Sequence, residues 1–125
     1  MIVHPIQDQQ PIESPNGNFG TALATPSLGA QEVSVVRQRQ TPGGFNPAHT
    51  QNREEVMVLL SGQVTVSGGE QPTELRAGDT LIVPANALHR IDNTGPVDAE
   101  WLIISVAGVQ FFREDGAQAR PGWLK

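Results

Sequence analysis

The sequence contains no cysteine and no tyrosine, and its single lysine is the last residue. Without cysteine, disulfides, zinc–thiolate sites, iron–sulfur clusters and cysteine nucleophiles are excluded. Without tyrosine, a phenol cannot act as a catalytic acid or base. The absence of cysteine also suits a reducing cytoplasm, which is the location we expect for the protein.

Basic residues are few and scattered. Eight Lys and Arg stand against thirteen Asp and Glu, which gives a net charge of −5, and Arg37 and Arg39 are the only close basic pair. Nucleic acid and anionic membranes attract proteins with a basic face, so neither is an expected partner. The longest apolar stretch, residues 101–109, is too short to cross a bilayer, and the N-terminus lacks the pattern of a signal peptide.

Glycine and proline are frequent, and they interrupt the chain at short intervals. Thirteen Gly and ten Pro separate short runs rich in Val, Ile, Leu and Thr, and no long stretch has a helical apolar period. Short strands separated by turn signals are typical of an all-β sandwich or barrel. The predicted strands are 32–39, 55–60, 63–66, 80–83 and 101–106.

The rest of the chain predicts an arm and a tail attached to one domain. A length of 125 residues fits a single domain, with the barrel over residues 31–112. Residues 1–30 are expected to be an N-terminal arm, in which the stretch 13–30, rich in Gly, Pro, Asn, Ser and Thr, predicts a long loop or irregular edge region. The polar tail, 113–125, ends in Trp and Leu, which we expect to dock on the body or on a partner subunit.

Strand parity selects one of two neighbouring glutamates as a candidate site residue. In an extended segment, alternate side chains share a face, so His49, Gln51 and Glu55 point the same way and Glu54 points the other way. Glu55 is therefore the predicted inward carboxylate, provided that the intervening corner keeps the register.

Residues 43–62 contain a regularly spaced set: Gly43, His49, Gln51, Glu55 and Gly62. The spacing resembles the first motif of the cupin superfamily, in which glycine is followed by two histidines, a glutamate and a second glycine. Gln51 stands where that motif has its second histidine. Two matching motifs are needed for a specific resemblance, because one short pattern is a weak signal.

Residues 78–93 supply the second motif through Gly78, Pro84, Asn86, His89 and Asn93, and fifteen residues separate the two motifs. Asn replaces the motif's central glycine at position 86, a mild change because Asn tolerates left-handed backbone. With both motifs present, the chain resembles the small single-domain members of the cupin superfamily known as cupin type 2.

The resemblance implies a double-stranded β-helix, or jelly-roll barrel, with a divalent metal held by His49, Gln51, Glu55 and His89. Two imidazoles and a carboxylate suit Fe(II) with open coordination positions, and Mn, Ni, Co and Zn accept the same ligands. Gln51 either binds the metal through its carbonyl oxygen or hydrogen-bonds a metal-bound water or substrate. A third alternative is that the loss of one imidazole leaves an empty pocket.

A small apolar pocket is expected inside the barrel, with Phe45, Met57 and Trp101 as candidate substrate-pocket residues. Arg37 and Arg39 share one face of the strand before the first motif. If that face were inward, a guanidinium could clamp a substrate carboxylate, but solvated arginine is the favoured interpretation. The expected interior residues are Met57, Leu59, Val83, Leu88 and Ile103.

The predicted function is a metal-dependent, Fe(II) dioxygenase-like enzyme that acts on a small organic molecule. No Ser-His-Asp or P-loop pattern is present, so the metal would carry most of the chemistry. Two alternatives stay open: a non-catalytic cupin that binds or senses a small ligand, and a metal-dependent isomerase or lyase without redox chemistry. The resemblance also implies a homodimer.

Overall fold

The computed structural model describes residues 1–122, and its regular structure is almost entirely β. Short 3₁₀ helices at Ile6–Asp8 and Pro26–Leu28 interrupt the strands. No helix among these residues is long and apolar enough to span a membrane. The strands are β1 (Ile12–Ser14), β2 (Asn18–Ala24), β3 (Val33–Gln40), β4 (Phe45–Gln51), β5 (Glu55–Ser61), β6 (Gln63–Ser67), β7 (Thr73–Arg76), β8 (Thr80–Val83), β9 (His89–Asp92), β10 (Ala99–Val106), β11 (Phe111–Arg113) and β12 (Gln118–Ala119).

The strands form two antiparallel sheets of six strands each. The first sheet has the order β1-β2-β3-β10-β5-β8 and the second has the order β12-β11-β4-β9-β6-β7. From β3 onwards the chain passes repeatedly from one sheet to the other, which is the connectivity of a jelly roll. The all-β prediction is confirmed, and the five predicted strands are present with ends that differ by at most two residues.

The segment 13–30 differs from the expected loop, because residues 18–24 form the regular strand β2. This strand pairs with β3 from Asn18 opposite Gln40 to Ala24 opposite Val35, with a register shift near its end. Its Asn, Gly and Ala residues predict a strand poorly. A neighbouring strand that offers a ladder of backbone partners overrides such weak local preferences. The segment does lie at the sheet edge, where β1 is the outermost strand.

The core lies between the two sheets, and both contribute to it. Trp101 of β10 is completely buried at its centre. Of the five expected interior residues, Leu88 is the exception, because it lies in the turn before β9 and is 41 % exposed. The buried hydrophobic cluster comprises Val36, Met57, Leu59, Val64, Val66, Leu75, Ile91, Ala99, Trp101 and Ile103.

The docking predicted for Trp123 and Leu124 lies outside the described residues.

Candidate metal centre

Two imidazoles meet where β4 lies beside β9. His49 and His89 are direct cross-strand partners, and their ring centroids are 4.3 Å apart with the planes inclined by 51°. Directly opposed residues of antiparallel strands share a face, so the pairing brings the two motifs together. Nδ1 of each ring donates a hydrogen bond to the carbonyl oxygen two residues earlier, at Pro47 (2.8 Å) and Ala87 (2.9 Å). Each Nε2 is thereby left as the nitrogen with a lone pair.

Several buried polar atoms of the two motifs have no hydrogen-bond partner within residues 1–122. Gln51 is completely buried and Glu55 is 4 % exposed. Within residues 1–122, both amide atoms of Gln51, Oε2 of Glu55 and Nε2 of His89 are buried and find no partner. An unsatisfied buried polar group costs about 1–3 kcal/mol, so three such side chains from the two motifs are a pattern that a bound cation or water would relieve.

Burial also shifts the protonation of the site. Desolvation, with a contribution from His89, lowers the pKa of His49 to about 4, although the hydrogen bond to Pro47 opposes the change. Desolvation lowers the pKa of His89 as well. Desolvation raises the pKa of Glu55 to about 7. At neutral pH both imidazoles are therefore uncharged, which is the state in which histidine binds metals.

The four predicted ligands do not form a complete metal-binding group in the structure. No three His, Asp or Glu side chains among residues 1–122 form a group that could hold a metal ion. The two imidazoles are in contact, Glu55 shares a cavity with His49, and Gln51 lies two residues after His49 on β4. Metal ligation by these four residues therefore stays a prediction.

The backbone of the second motif accommodates its departure from the cupin pattern. Asn86 adopts a left-handed conformation, with φ of 65°. Its backbone N–H donates to the backbone carbonyl oxygen of Gln51 at 2.7 Å, and this bond connects the turn before His89 to the end of β4. Because Asn tolerates this conformation better than most residues, the turn survives without glycine.

A cavity of about 920 Å³ opens beside the imidazole pair, and His49 and Glu55 both line it. Its volume is within the range of small-molecule sites. The large apolar residues of its wall include Ile91, Ile103 and Phe111. The charged residues around it are Arg90, Arg113, Glu114, Asp115 and Arg120.

The three predicted pocket residues lie elsewhere. Met57 and Trp101 are buried in the core, and neither they nor Phe45 line this cavity. Phe45 instead carries the guanidinium of Arg90 over its ring, 4.3 Å from the centroid. Residues that flank a motif in sequence alternate between the two sides of a strand, so proximity in sequence does not predict the cavity wall.

A cluster of side-chain amides beside the cavity was not predicted from the sequence. Nε2 of Gln38 donates to Oδ1 of Asn18 and to Oδ1 of Asn46, both at 2.8 Å, and Nε2 of Gln40 donates to the same two oxygens at 2.9 and 3.3 Å. Asn18, Gln38 and Asn46 line the cavity. The available signal was the shared parity of Gln38 and Gln40 with Val36, but parity does not say which face is inward.

The opposite face of β3 carries the two arginines considered as a carboxylate clamp. Arg37 pairs with Glu100 at 3.0 Å and Arg39 pairs with Asp98 at 3.2 Å, on the outer side of the sheet. The interpretation of both as solvated residues is confirmed.

The fold and the imidazole pair define a class: a jelly-roll barrel in which histidines from two neighbouring strands lie side by side, one of them lining a cavity. The sequence model described as "Cupin domain" matches residues 36–105, more than half of the chain. The chain belongs to the cupin family.

Among curated proteins, the chain is similar to auxin-binding protein 1 of Arabidopsis thaliana, with 31 % identity over 106 residues that cover 72 % of this chain and 54 % of the relative. It is similar to oxalate oxidase 2 of Hordeum vulgare, with 29 % identity over 102 residues that cover 72 % and 46 %. The chain thus spans about half the length of the curated relatives it matches.

Solved structures support the fold. The polyketide cyclase RemF from Streptomyces resistomycificus superposes with a TM-score of 0.77 over 87 % of this chain and 81 % of that one, and its 16 % identity shows the fold alone. An oxalate oxidase structure gives a TM-score of 0.66 at 27 % identity, over 78 % of this chain and 56 % of that one.

Proposed function

We propose that this protein is a metal-dependent cupin enzyme that acts on a small organic molecule, with dioxygenase-like chemistry. The metal would be a divalent transition ion, for which Fe is favoured and Mn, Ni, Co or Zn are alternatives. Its ligands would be His49, Glu55 and His89, with Gln51 as a fourth. The observation that carries the proposal is the imidazole pair, whose ring centroids are 4.3 Å apart, together with the buried amide and carboxylate oxygens of the first motif that lack partners within residues 1–122.

The chemistry of the ligand set fits such an ion. Two neutral imidazoles, one carboxylate and one amide oxygen leave coordination positions open for a substrate. The amide of Gln51 is a weaker ligand than imidazole, so the ion would be held less tightly than by a third histidine. Ligation displaces the proton from Glu55, so metal affinity should fall as the pH drops below about 7, the pKa of its carboxyl group.

A bound metal would supply Lewis acidity or bind O₂. The residues around it would position the substrate. The backbone hydrogen bonds at Nδ1 of His49 and His89 hold both rings in one orientation. The apolar wall formed by Ile91, Ile103 and Phe111 excludes water from part of the cavity, and the amide cluster beside it offers hydrogen bonds to a polar substrate group.

A second candidate function is a non-catalytic protein that binds a small ligand. The lack of an assembled group of three His, Asp or Glu side chains among residues 1–122 favours it. So does the 31 % identity with a protein named for binding auxin. A ligand-binding cupin would use the same cavity, but it would not require an ion.

Elemental analysis of the purified protein tests the proposal. We expect stoichiometric transition metal in the wild type, and its loss in His49→Ala and His89→Ala. His4→Ala is the matched control, because His4 lies away from the motifs and contacts the carbonyl oxygen of Leu28 at 2.8 Å. Metal-free wild type from metal-replete medium would refute the enzymatic proposal.

Ligand screening separates the alternatives. O₂ uptake with a small organic substrate would support the dioxygenase-like enzyme. Activity that persists without O₂ and with Zn would instead indicate an isomerase or lyase. Thermal stabilisation by ligands that survives chelation would indicate the binding protein.

The proposal includes a homodimer in the cytoplasm. An apolar row on the outer face of the first sheet supports the dimer: Val35, Ile104, Val56 and Ile82 are cross-strand neighbours on four adjacent strands. Ile82, on the edge strand β8, is 61 % exposed. Light scattering should give twice the chain mass, and Ile82→Glu should reduce it to one chain.

A further inference from the structure

Arg113 lies in one row with the two imidazoles. It is the last residue of β11, and its cross-strand partner on β4 is His49, which in turn pairs with His89 on β9. Directly opposed residues in antiparallel strands have side chains on the same face. Arg113 accordingly lines the same cavity as His49 and Glu55.

The neighbouring positions of β11 agree with this orientation. Phe111 shares parity with Arg113, is buried, and lines the cavity as well. Phe111 pairs with Gln51 just as Arg113 pairs with His49, so the buried Phe111 and the exposed Arg113 both lie on the face of the sheet that carries the site.

The guanidinium of Arg113 forms no ion pair with a carboxylate in the described part of the chain. Four other arginines, Arg37, Arg39, Arg76 and Arg90, form ion pairs with carboxylates. Arg113 forms none with residues 1–122. Asp115, which is close in sequence, accepts a hydrogen bond from the backbone N–H of Ala117 instead.

Other cationic groups around the cavity are less suited to an anion. Arg90 already donates to both carboxylate oxygens of Asp92, at 3.0 and 3.2 Å, so its charge is neutralised. Arg120 donates to Gln118 at 3.5 Å, and it is not a cross-strand partner of either histidine.

We propose that Arg113 binds the carboxylate of the substrate, and that the substrate is therefore a small organic acid. A guanidinium offers two parallel N–H groups that match a carboxylate. An acid held there lies against His49, so its next carbon or oxygen atoms face the imidazole pair. This inference rests on the proposed function for the reaction site, but the binding contact itself requires only the cavity and Arg113.

Binding of simple acids and of their neutral amides tests the inference. The probes are acetate, lactate and malonate, each compared with its primary amide, by calorimetric titration of protein with its metal and after chelation. Wild type should bind the acids more tightly than the amides. Arg113→Gln should lower the affinity for the acids by about tenfold, which is the usual effect of losing one charge-assisted contact. The affinity for the amides should not change.

Two further variants control the experiment. Arg76→Gln makes the same charge change on the opposite edge strand of the same sheet, where the side chain is 80 % exposed, and it should bind like the wild type. Arg113→Lys keeps the charge without the planar fork, so it should recover part of the affinity. Urea unfolding midpoints establish that each variant is folded.

The outcomes distinguish the two proposals. Equal acid binding by wild type and Arg113→Gln, or no preference of wild type for acids over amides, would overturn the inference. Metal analysis of the same samples tests the proposed function separately. If wild type holds no metal but Arg113→Gln still loses acid binding, the enzymatic proposal fails and the role of Arg113 stands.

Discussion

Replacing Glu55 with glutamine should stabilise the metal-free protein at alkaline pH, although it removes a proposed metal ligand. Burial raises the pKa of the Glu55 carboxyl from 4.5 to about 7. An acid with a raised pKa in the folded state binds its proton more tightly there than in the unfolded chain. Its contribution to stability is complete below pH 4.5 and is lost as the pH rises to 7.

The pKa change sets the size of the effect. A difference of one pKa unit corresponds to about 1.4 kcal/mol, so the raised pKa of Glu55 implies about 3 kcal/mol of destabilisation above pH 7. Glutamine has a similar shape and no charge, so Glu55→Gln should recover up to about 3 kcal/mol at pH 8. Below pH 4.5 the two proteins should be nearly equally stable.

In the Glu55→Gln variant, the remaining pH dependence of the free energy of unfolding should include the contribution of His49. Its pKa is lowered from 6.5 to about 4, so its contribution to stability is present above pH 6.5 and is lost as the pH falls to 4. In wild type, the contribution of Glu55 to the free energy of unfolding falls as the pH rises from 4.5 to 7, while that of His49 rises between pH 4 and 6.5. The two contributions therefore largely cancel. In Glu55→Gln the free energy of unfolding should rise with pH by about 3 kcal/mol or more over that interval, because the lowered pKa of His89 acts in the same direction as that of His49.

Urea unfolding of chelator-treated protein, followed by tryptophan fluorescence, measures these free energies. Trp101 is fully buried and reports loss of the core. Glu54→Gln is the matched control, since Glu54 is the exposed neighbour on the opposite face. A metal-free Glu55→Gln protein that is less stable than wild type at pH 8 would refute the reasoning, because it would mean that the carboxylate is stabilised where it lies.

Three further predictions concern the site and its supports. Gln51→His should bind metal more tightly, because imidazole is the stronger ligand. Competition with a chelator measures this, and equal or weaker binding would argue that Gln51 does not contact the ion. Gln38→Leu should destabilise the fold by about 1–3 kcal/mol in urea unfolding, since it removes one buried and one part-buried hydrogen bond. An unchanged midpoint would show that water replaces the amide. Gly62→Ala should unfold at a clearly lower temperature than Gly78→Ala. Both glycines have positive φ, but an added Cβ at Gly62 would lie 2.6 Å from the carbonyl oxygen of Asp98, whereas Gly78 has open space. Equal melting temperatures would contradict the steric argument.

Local patterns were sufficient for most strands. Runs of β-branched and aliphatic residues between Gly and Pro predicted strands such as β5 and β10 to within two residues. Parity likewise identified the inward glutamate, as Glu55 is buried and Glu54 is exposed. These features depend on neighbours along the chain, which is why they can be read from it.

Features that depend on contacts between distant segments could not be read in this way. The strand β2 exists because β3 offers it a ladder, and Asn18 enters the amide cluster through that pairing. Leu88 follows the apolar pattern of a core residue, yet the turn before β9 leaves it exposed. Neither outcome has a signal within a few residues of the position concerned.

The sequence by itself determined the all-β class, the cupin motifs and the residues proposed to bind a metal, because spacing and parity are properties of a short extended chain. Only the tertiary structure decided which face of β3 is inward, which residues line the cavity, and that Arg113 stands opposite His49. Register between strands is set by packing across the whole barrel, and a shift of one residue would turn each of these side chains to the other face.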